Sequence, residues 1–158
     1  MPKGVPISHS GYLWGLRCQE GQADHLARAR TLVSAPMYHM NAQCTVLISL
    51  AYGSTSILLP RFDVDLFLTT IGRFQVTTLS GVPTMLAMAI NRLDEGFEAD
   101  LSSVEHIGIG SAPLSENLLE RIKFRFDQAA LQNGYGTTET GFVAFGQHPD
   151  PNVERPPM

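Results

Sequence analysis

The stretch NGYGTTETG, residues 133–141, gathers three glycines, a tyrosine, three threonines and a glutamate. Glycine lets backbone turn sharply and come close to a bound group. A ring, hydroxyls and a carboxylate are therefore carried on chain that can present them. Three other short segments punctuated by Pro or Gly resemble it in character: residues 35–39 (APMYH), 80–83 (SGVP) and 110–113 (GSAP). The common signatures of phosphate and nucleophile chemistry do not account for them. Gly108-Ile109-Gly110 begins a G-x-G-x-x-G, but its sixth position is Pro113, so no dinucleotide fingerprint is present. Ser111 lies between Gly110 and Ala112 and not within G-x-S-x-G, which removes the nucleophile elbow. Taken alone, Gly134-Tyr135-Gly136 reads equally as a tight turn whose tyrosine covers a sheet edge; Thr138 and Glu139, which follow, weigh against that plain account.

The elements that must position these loops follow from periodicity. Residues 31–34, 56–59, 76–79 and 105–109 are short apolar or β-branched runs ended by Pro or Gly, and read as buried strands. Residues around 43–51, 64–73, 84–93 and 115–126 repeat apolar side chains at helical spacing. In the last of these Ser115 is placed to cap, Leu118, Leu119, Ile122 and Phe126 share a face, and acidic residues precede basic ones as the helix dipole prefers. Strands alternating with helices predict an α/β fold, a mainly parallel sheet with helices on both faces. Ligands of such sheets bind outside the carboxyl ends of the strands. The four loops named above leave those ends, so one shared rim is expected to collect the polar residues.

Composition narrows the function. With 158 residues, 44% of them hydrophobic and 16% charged, the chain can bury a sizeable core. A net charge of −4, a pI near 5.7 and scattered Lys and Arg offer no stripe for nucleic acid. No apolar run approaches the roughly 18 residues of a membrane span. Cys18 and Cys44 form no C-x-x-C, and His9, His25, His39, His106 and His148 lack the close pair spacing of zinc ligands. Both thiols are expected to be reduced and buried. With no secretory signal at the start, a cytoplasmic placement is expected.

Four segments carry a resemblance. Met1-Pro2-Lys3-Gly4-Val5 is similar to the tail of a glycine-, serine- and threonine-rich phosphate loop, and Pro36-Met37-Tyr38-His39 to a P-x-x-H segment. Gly110-Ser111-Ala112-Pro113-Leu114 resembles G-G-A-P-L, and Tyr135-Gly136-Thr137-Thr138-Glu139 resembles Y-G-x-T-E. All four, in this order, belong to the adenylate-forming (AMP-binding) superfamily of acyl- and aryl-CoA synthetases, luciferases and peptide-synthetase adenylation domains. The resemblance implies a two-step reaction, in which a carboxylate attacks the α-phosphate of ATP and the acyl group then passes to a thiol, commonly that of coenzyme A. It implies that Tyr135 stacks on adenine, Thr138 hydrogen-bonds phosphate and Glu139 holds Mg²⁺. Gly134, Gly136 and Thr137 would let backbone approach the nucleotide and line its rim, and Asn133 would meet the adenine edge. By the same resemblance Gly110, Ser111 and Ala112 line the adenine and acyl pocket, His39 sits by the carboxylate entrance, and Lys3 assists the ATP phosphates. The acyl pocket is expected to include His39, Met40, Ser80, Gly81 and Val82, with Thr137 at its rim, sized for a fatty or other small organic acid.

Both ends read as cut. The sequence opens on turn-type residues, and Pro149, Pro151, Pro156 and Pro157 crowd its close. Residues 1–158 are therefore expected to be the central part of the AMP-binding domain, truncated at both ends. Two functional classes stay open: an acyl-CoA synthetase in the full-length parent, or a remnant that at most binds adenine nucleotide. A peptide-synthetase adenylation domain is a further variant of the first.

Overall fold

The apolar runs become strands of a single sheet, and one further strand joins them. The computed structural model describes residues 4–141. Its strands are β1 (Arg30–Val33), β2 (Thr55–Leu58), β3 (Thr78–Gly81), β4 (His106–Gly110) and β5 (Ala130–Gly134). All neighbours pair parallel, in the order β2-β1-β3-β4-β5. The helices are α1 (His9–Arg17), α2 (Ala23–Arg28), α3 (Met40–Tyr52), α4 (Val64–Phe74), α5 (Pro83–Asp94) and α6 (Glu116–Arg125). From β1 the chain steps outward to β2, then returns past β1 to β3, β4 and β5. Right-handed crossovers place α3 on one face and α4, α5 and α6 on the other. The packing agrees: α5 touches both α4 and α6, while α3 lies against α2. This is the expected α/β architecture, doubly wound.

The core lies between the sheet and the α4–α5–α6 layer. Phe67, Leu68 and Ile71 of α4, Leu86 and Ile90 of α5 and Ile122 of α6 close over Leu32, Leu79 and Ile107, all essentially removed from water. Each such side chain contributes roughly 1.5–3 kcal/mol. Caps set the helix ends: the Asp63 carboxylate accepts from the Leu66 amide at 3.0 Å, and the Ser115 hydroxyl accepts from the Leu118 amide at 3.3 Å. Outside the core, Arg92 of α4's neighbour α5 pairs with Asp65 at 2.6 Å, and Arg121 and Arg125 of α6 converge on Asp94.

Where the elements depart from periodicity, local bonding explains it. The run 76–79 reads as a strand, yet β3 begins at Thr78. Gln75 ends α4 in the left-handed region (φ 48°), and the Val76 amide donates back to Ile71 at 3.0 Å, so Val76 belongs to the helix stop. β5 (ALQNG) has no β-branched residue to announce it; it forms by pairing along its whole length with β4. Helix α1 contains Gly11 and Gly15 and buries only the latter, so it shows no apolar stripe; the Ser8 hydroxyl, accepting from Gly11 at 3.1 Å, starts it. The expectation of two buried cysteines needs correction: Cys18 follows α1 and is exposed, while Cys44 is half-buried. Burial pushes the Cys44 thiol up to about 11, an unreactive state. Among the described residues no helix is long and apolar enough to cross a membrane.

Candidate active site

Because all five strands run the same way, their carboxyl ends form one rim, and the four loops singled out by residue type all leave from it. The two that matter most leave side by side. Ile109 is in register with Asn133, and Gly110 with Gly134, at the ends of β4 and β5. A Cβ on Gly110 would stand 2.9 Å from the Gly134 carbonyl oxygen, so only glycine permits this approach of the two backbones. The next residue, Ser111, has φ 67°, a left-handed conformation that costs a non-glycine residue about 1–3 kcal/mol. Strain is thus placed where the loop 110–113 opens, and Ser111 and Ala112 are both exposed there.

Beyond β5 the chain makes a short 3₁₀ turn, Thr138–Thr140. Thr137 and Thr140 lock it reciprocally. The Thr137 hydroxyl accepts from the Thr140 amide at 3.3 Å, and the Thr140 hydroxyl accepts from the Thr137 amide at 2.9 Å. The turn therefore holds its shape without the side chains of Thr138 and Glu139. Both are exposed, and no described residue engages either. Tyr135, 56% exposed, and Gly136 precede them, while Asn133 is half-buried in β5. A hydroxyl and a carboxylate at adjacent positions on a fixed turn suit a hard dication, since Mg²⁺ keeps several waters and takes one or two carboxylates plus phosphate oxygens. The donor set fits that role.

The other half of the rim lies between β1 and β3, where the chain direction switches. Such switch points open a crevice. The Asn41 amide donates to the Ser80 hydroxyl at 2.8 Å, tying the first turn of α3 to the end of β3. His39 immediately precedes α3, is exposed, and has its ring 4.7 Å from that of Tyr38. Ser34, directly after β1, is 2% exposed, and its hydroxyl has no partner among the described residues. Asn41 and Ser34 were not anticipated from sequence; a small polar residue at a strand end and another in the first turn of the next helix are signals only once the strand order is known. Met40, Gly81 and Val82 are half-buried around this mouth. His39 shares the rim with Glu139 but not its corner: β1 and β5 are three strand spacings apart, roughly 14 Å. Lys3 lies outside the described residues. Two clefts of about 290 and 170 Å³ lie away from the rim, one at Asp94 and Arg121 between α5 and α6, the other at His25 and Glu105 by the amino ends of the strands.

A model of the AMP-binding enzyme family matches residues 1–157. The chain belongs to the family of AMP-binding enzymes. Among its relatives, 4-coumarate–CoA ligase-like 5 of Oryza sativa subsp. japonica is 39% identical over 155 residues, covering 90% of this chain and 28% of the relative. The 4-coumarate–CoA ligase 1 of Arabidopsis thaliana is 32% identical over 148 residues, covering 90% of this chain and 26% of the relative. The chain thus spans about a quarter of the length of these curated relatives. Among solved structures, O-succinylbenzoate coenzyme A synthetase from Bacillus subtilis in complex with ATP and magnesium ion superposes with a TM-score of 0.75 at 29% identity, over 94% of this chain and 30% of that one. Both named relatives are CoA ligases, and the solved neighbour is a coenzyme A synthetase.

Proposed function

We propose that residues 1–158 are the central part of the AMP-binding domain of an acid–thiol ligase, an enzyme that adenylates a carboxylic acid and passes the acyl group to coenzyme A. The observation that carries this reading is the exposed Thr138–Glu139 pair, whose side chains no described residue engages, presented by a self-locked turn beside the Gly110–Gly134 contact. Tyr135 stacks on the adenine of ATP, with Asn133 at its edge and Gly110, Ser111 and Ala112 forming the neighbouring wall. Thr138 donates to phosphate. Glu139 gives a carboxylate oxygen to Mg²⁺, which when bound neutralises phosphate charge.

The acid enters at the β1–β3 crevice, past His39, and its tail lies by Met40, Ser80, Gly81 and Val82. These are modest side chains, so an apolar tail fits, aromatic or fatty. The two named relatives take their names from an aromatic acid, which favours the first. In the reaction the acid's carboxylate oxygen bonds to the α-phosphorus as pyrophosphate leaves. The thiol sulfur then bonds to the acyl carbon, AMP departs with the electron pair of the broken C–O bond, and the thiol proton goes to solvent. Little covalent work falls to the protein, whose contribution is positioning and charge stabilisation.

A second reading, nucleotide binding without turnover, is favoured by one observation: every residue from Tyr135 to Thr140 is exposed, and no described residue encloses the turn. Exchange of radiolabelled pyrophosphate into ATP separates the two. A full-length protein carrying this segment is assayed with Mg²⁺ and a panel of cinnamic-type and fatty acids. Acid-dependent exchange supports the ligase; nucleotide binding without exchange for any acid leaves the second reading.

A further inference from the structure

The histidines have no useful spacing in sequence, yet the fold brings two of them together at the end of the sheet opposite the rim. His25 in α2, Glu105 just before β4 and His106 at its start each offer one donor atom, and the three atoms lie within 4.8 Å of one another. The rings of His25 and His106 are 3.9 Å apart, tilted by 54°. Successive residues of a strand point to opposite faces, but Glu105 stands just before β4 and need not follow that alternation. The Glu105 and His106 amides both donate to the one carbonyl of Thr77, at 2.8 and 3.0 Å, which holds the two residues together at this end of the sheet.

We propose that His25, Glu105 and His106 bind one borderline divalent transition-metal ion of the Zn²⁺ class, which ties α2 to β4. Two imidazole nitrogens and one carboxylate oxygen are a donor set that zinc accepts, and they leave a fourth position for water. The site is open enough to load. Glu105 is exposed, both histidines are half-buried, and a cleft of about 170 Å³ lined by His25, Arg28, Ala29, Thr77 and Glu105 adjoins it. Arg28 is the opposing charge in that cleft; the Glu105 carboxylate offsets it. Burial, and then the neighbouring His25, hold His106 below the ordinary histidine value against the pull of Glu105, which favours the neutral, ligating ring. The three donors must close up from 4.8 Å to surround an ion at about 2.0–2.2 Å, a movement of side chains that the short, six-residue α2 can follow. The site lies roughly 13 Å along β4 from Gly110, so it is separate from any Mg²⁺ held at the rim.

The test is calorimetric titration of the tag-free chain with ZnCl₂. One ion should bind, and His25→Ala or His106→Ala should each weaken it by about tenfold or more, Glu105→Gln less, and His9→Ala not at all. Mg²⁺ at equal concentration should not compete. Cobalt titration of the unsubstituted chain gives a readout that needs no variant: intense visible bands of low-coordinate Co²⁺ should grow to one equivalent and vanish on adding Zn²⁺. Absence of those bands, unchanged zinc affinity in folded His25→Ala, or displacement by Mg²⁺ would each overturn the site.

Discussion

In α4 the side chains of Phe67, Leu68 and Ile71 are at most 2% exposed, whereas every residue from Tyr135 to Thr140 faces solvent. The two regions solve different problems. The α4–β3–α5 block is fastened by apolar contact and by the Arg92–Asp65 pair across it. The rim turn buries nothing and is held by hydrogen bonds between Thr137 and Thr140. Between them stand Gly110 and Ser111, tight backbone contact and backbone strain side by side. Stability is concentrated in one place and ligand-ready groups in another, so substitutions should separate cleanly into those that move the melting temperature and those that move nucleotide binding.

The largest effect tests the stable side. Phe67→Ala removes a buried ring and should cost about 3–5 kcal/mol in urea unfolding, with nucleotide affinity of the remaining folded protein unaltered. A loss below one-third of that range would mean the α4 layer is not where the stability lies. Gly110→Ala tests the boundary: the added methyl meets the Gly134 carbonyl, so it should cost about 1–3 kcal/mol of stability and weaken nucleotide binding together. Effects on stability alone would detach β4–β5 from the site. On the ligand side, Tyr135→Ala should leave the melting temperature in place and cost about 1–3 kcal/mol of binding to a non-hydrolysable ATP analogue, taking base–aromatic stacking as guide. Unchanged affinity would remove Tyr135 from the adenine.

The smallest effect concerns acid. Hydrogen bonds from Arg121, then Arg125, hold the Asp94 carboxyl below the usual aspartate value of 3.8. A folded-state value lower than the unfolded one contributes stability above pH 3.8 that is lost as pH falls through the folded value. Asp94→Asn should therefore be slightly less stable than the parent chain near neutrality and converge with it in strong acid. Parallel melting curves across that window would show the two surface pairs at Asp94 to be neutral.

Much of this was legible in residue order, and the exceptions have physical causes. Strands and helices with apolar periodicity, such as α4 and β1, announce themselves because their burial requires it. β5 does not, since Gln132 and Asn133 are recruited to the sheet by the free edge of β4 and not by their own preference. At the rim, glycines and the Thr-Thr-Glu run were visible as types, but the self-locking of Thr137 and Thr140 is a tertiary detail of one turn. The Asn41–Ser80 bond joins residues 39 apart and needs the switch in strand order to bring them together. The convergence of His25 on His106 is hidden for the same reason: no local spacing encodes it.

The central claim is that Glu139, on its locked turn, holds the magnesium that accompanies ATP. Measuring pyrophosphate exchange against Mg²⁺ concentration for Glu139→Gln in a full-length protein carrying this segment tests it most directly, because the change keeps the shape and removes only the charge. The account predicts a fall in maximal exchange and a shift of half-saturation to higher Mg²⁺, with the melting temperature unmoved. Identical magnesium curves for variant and parent would contradict it.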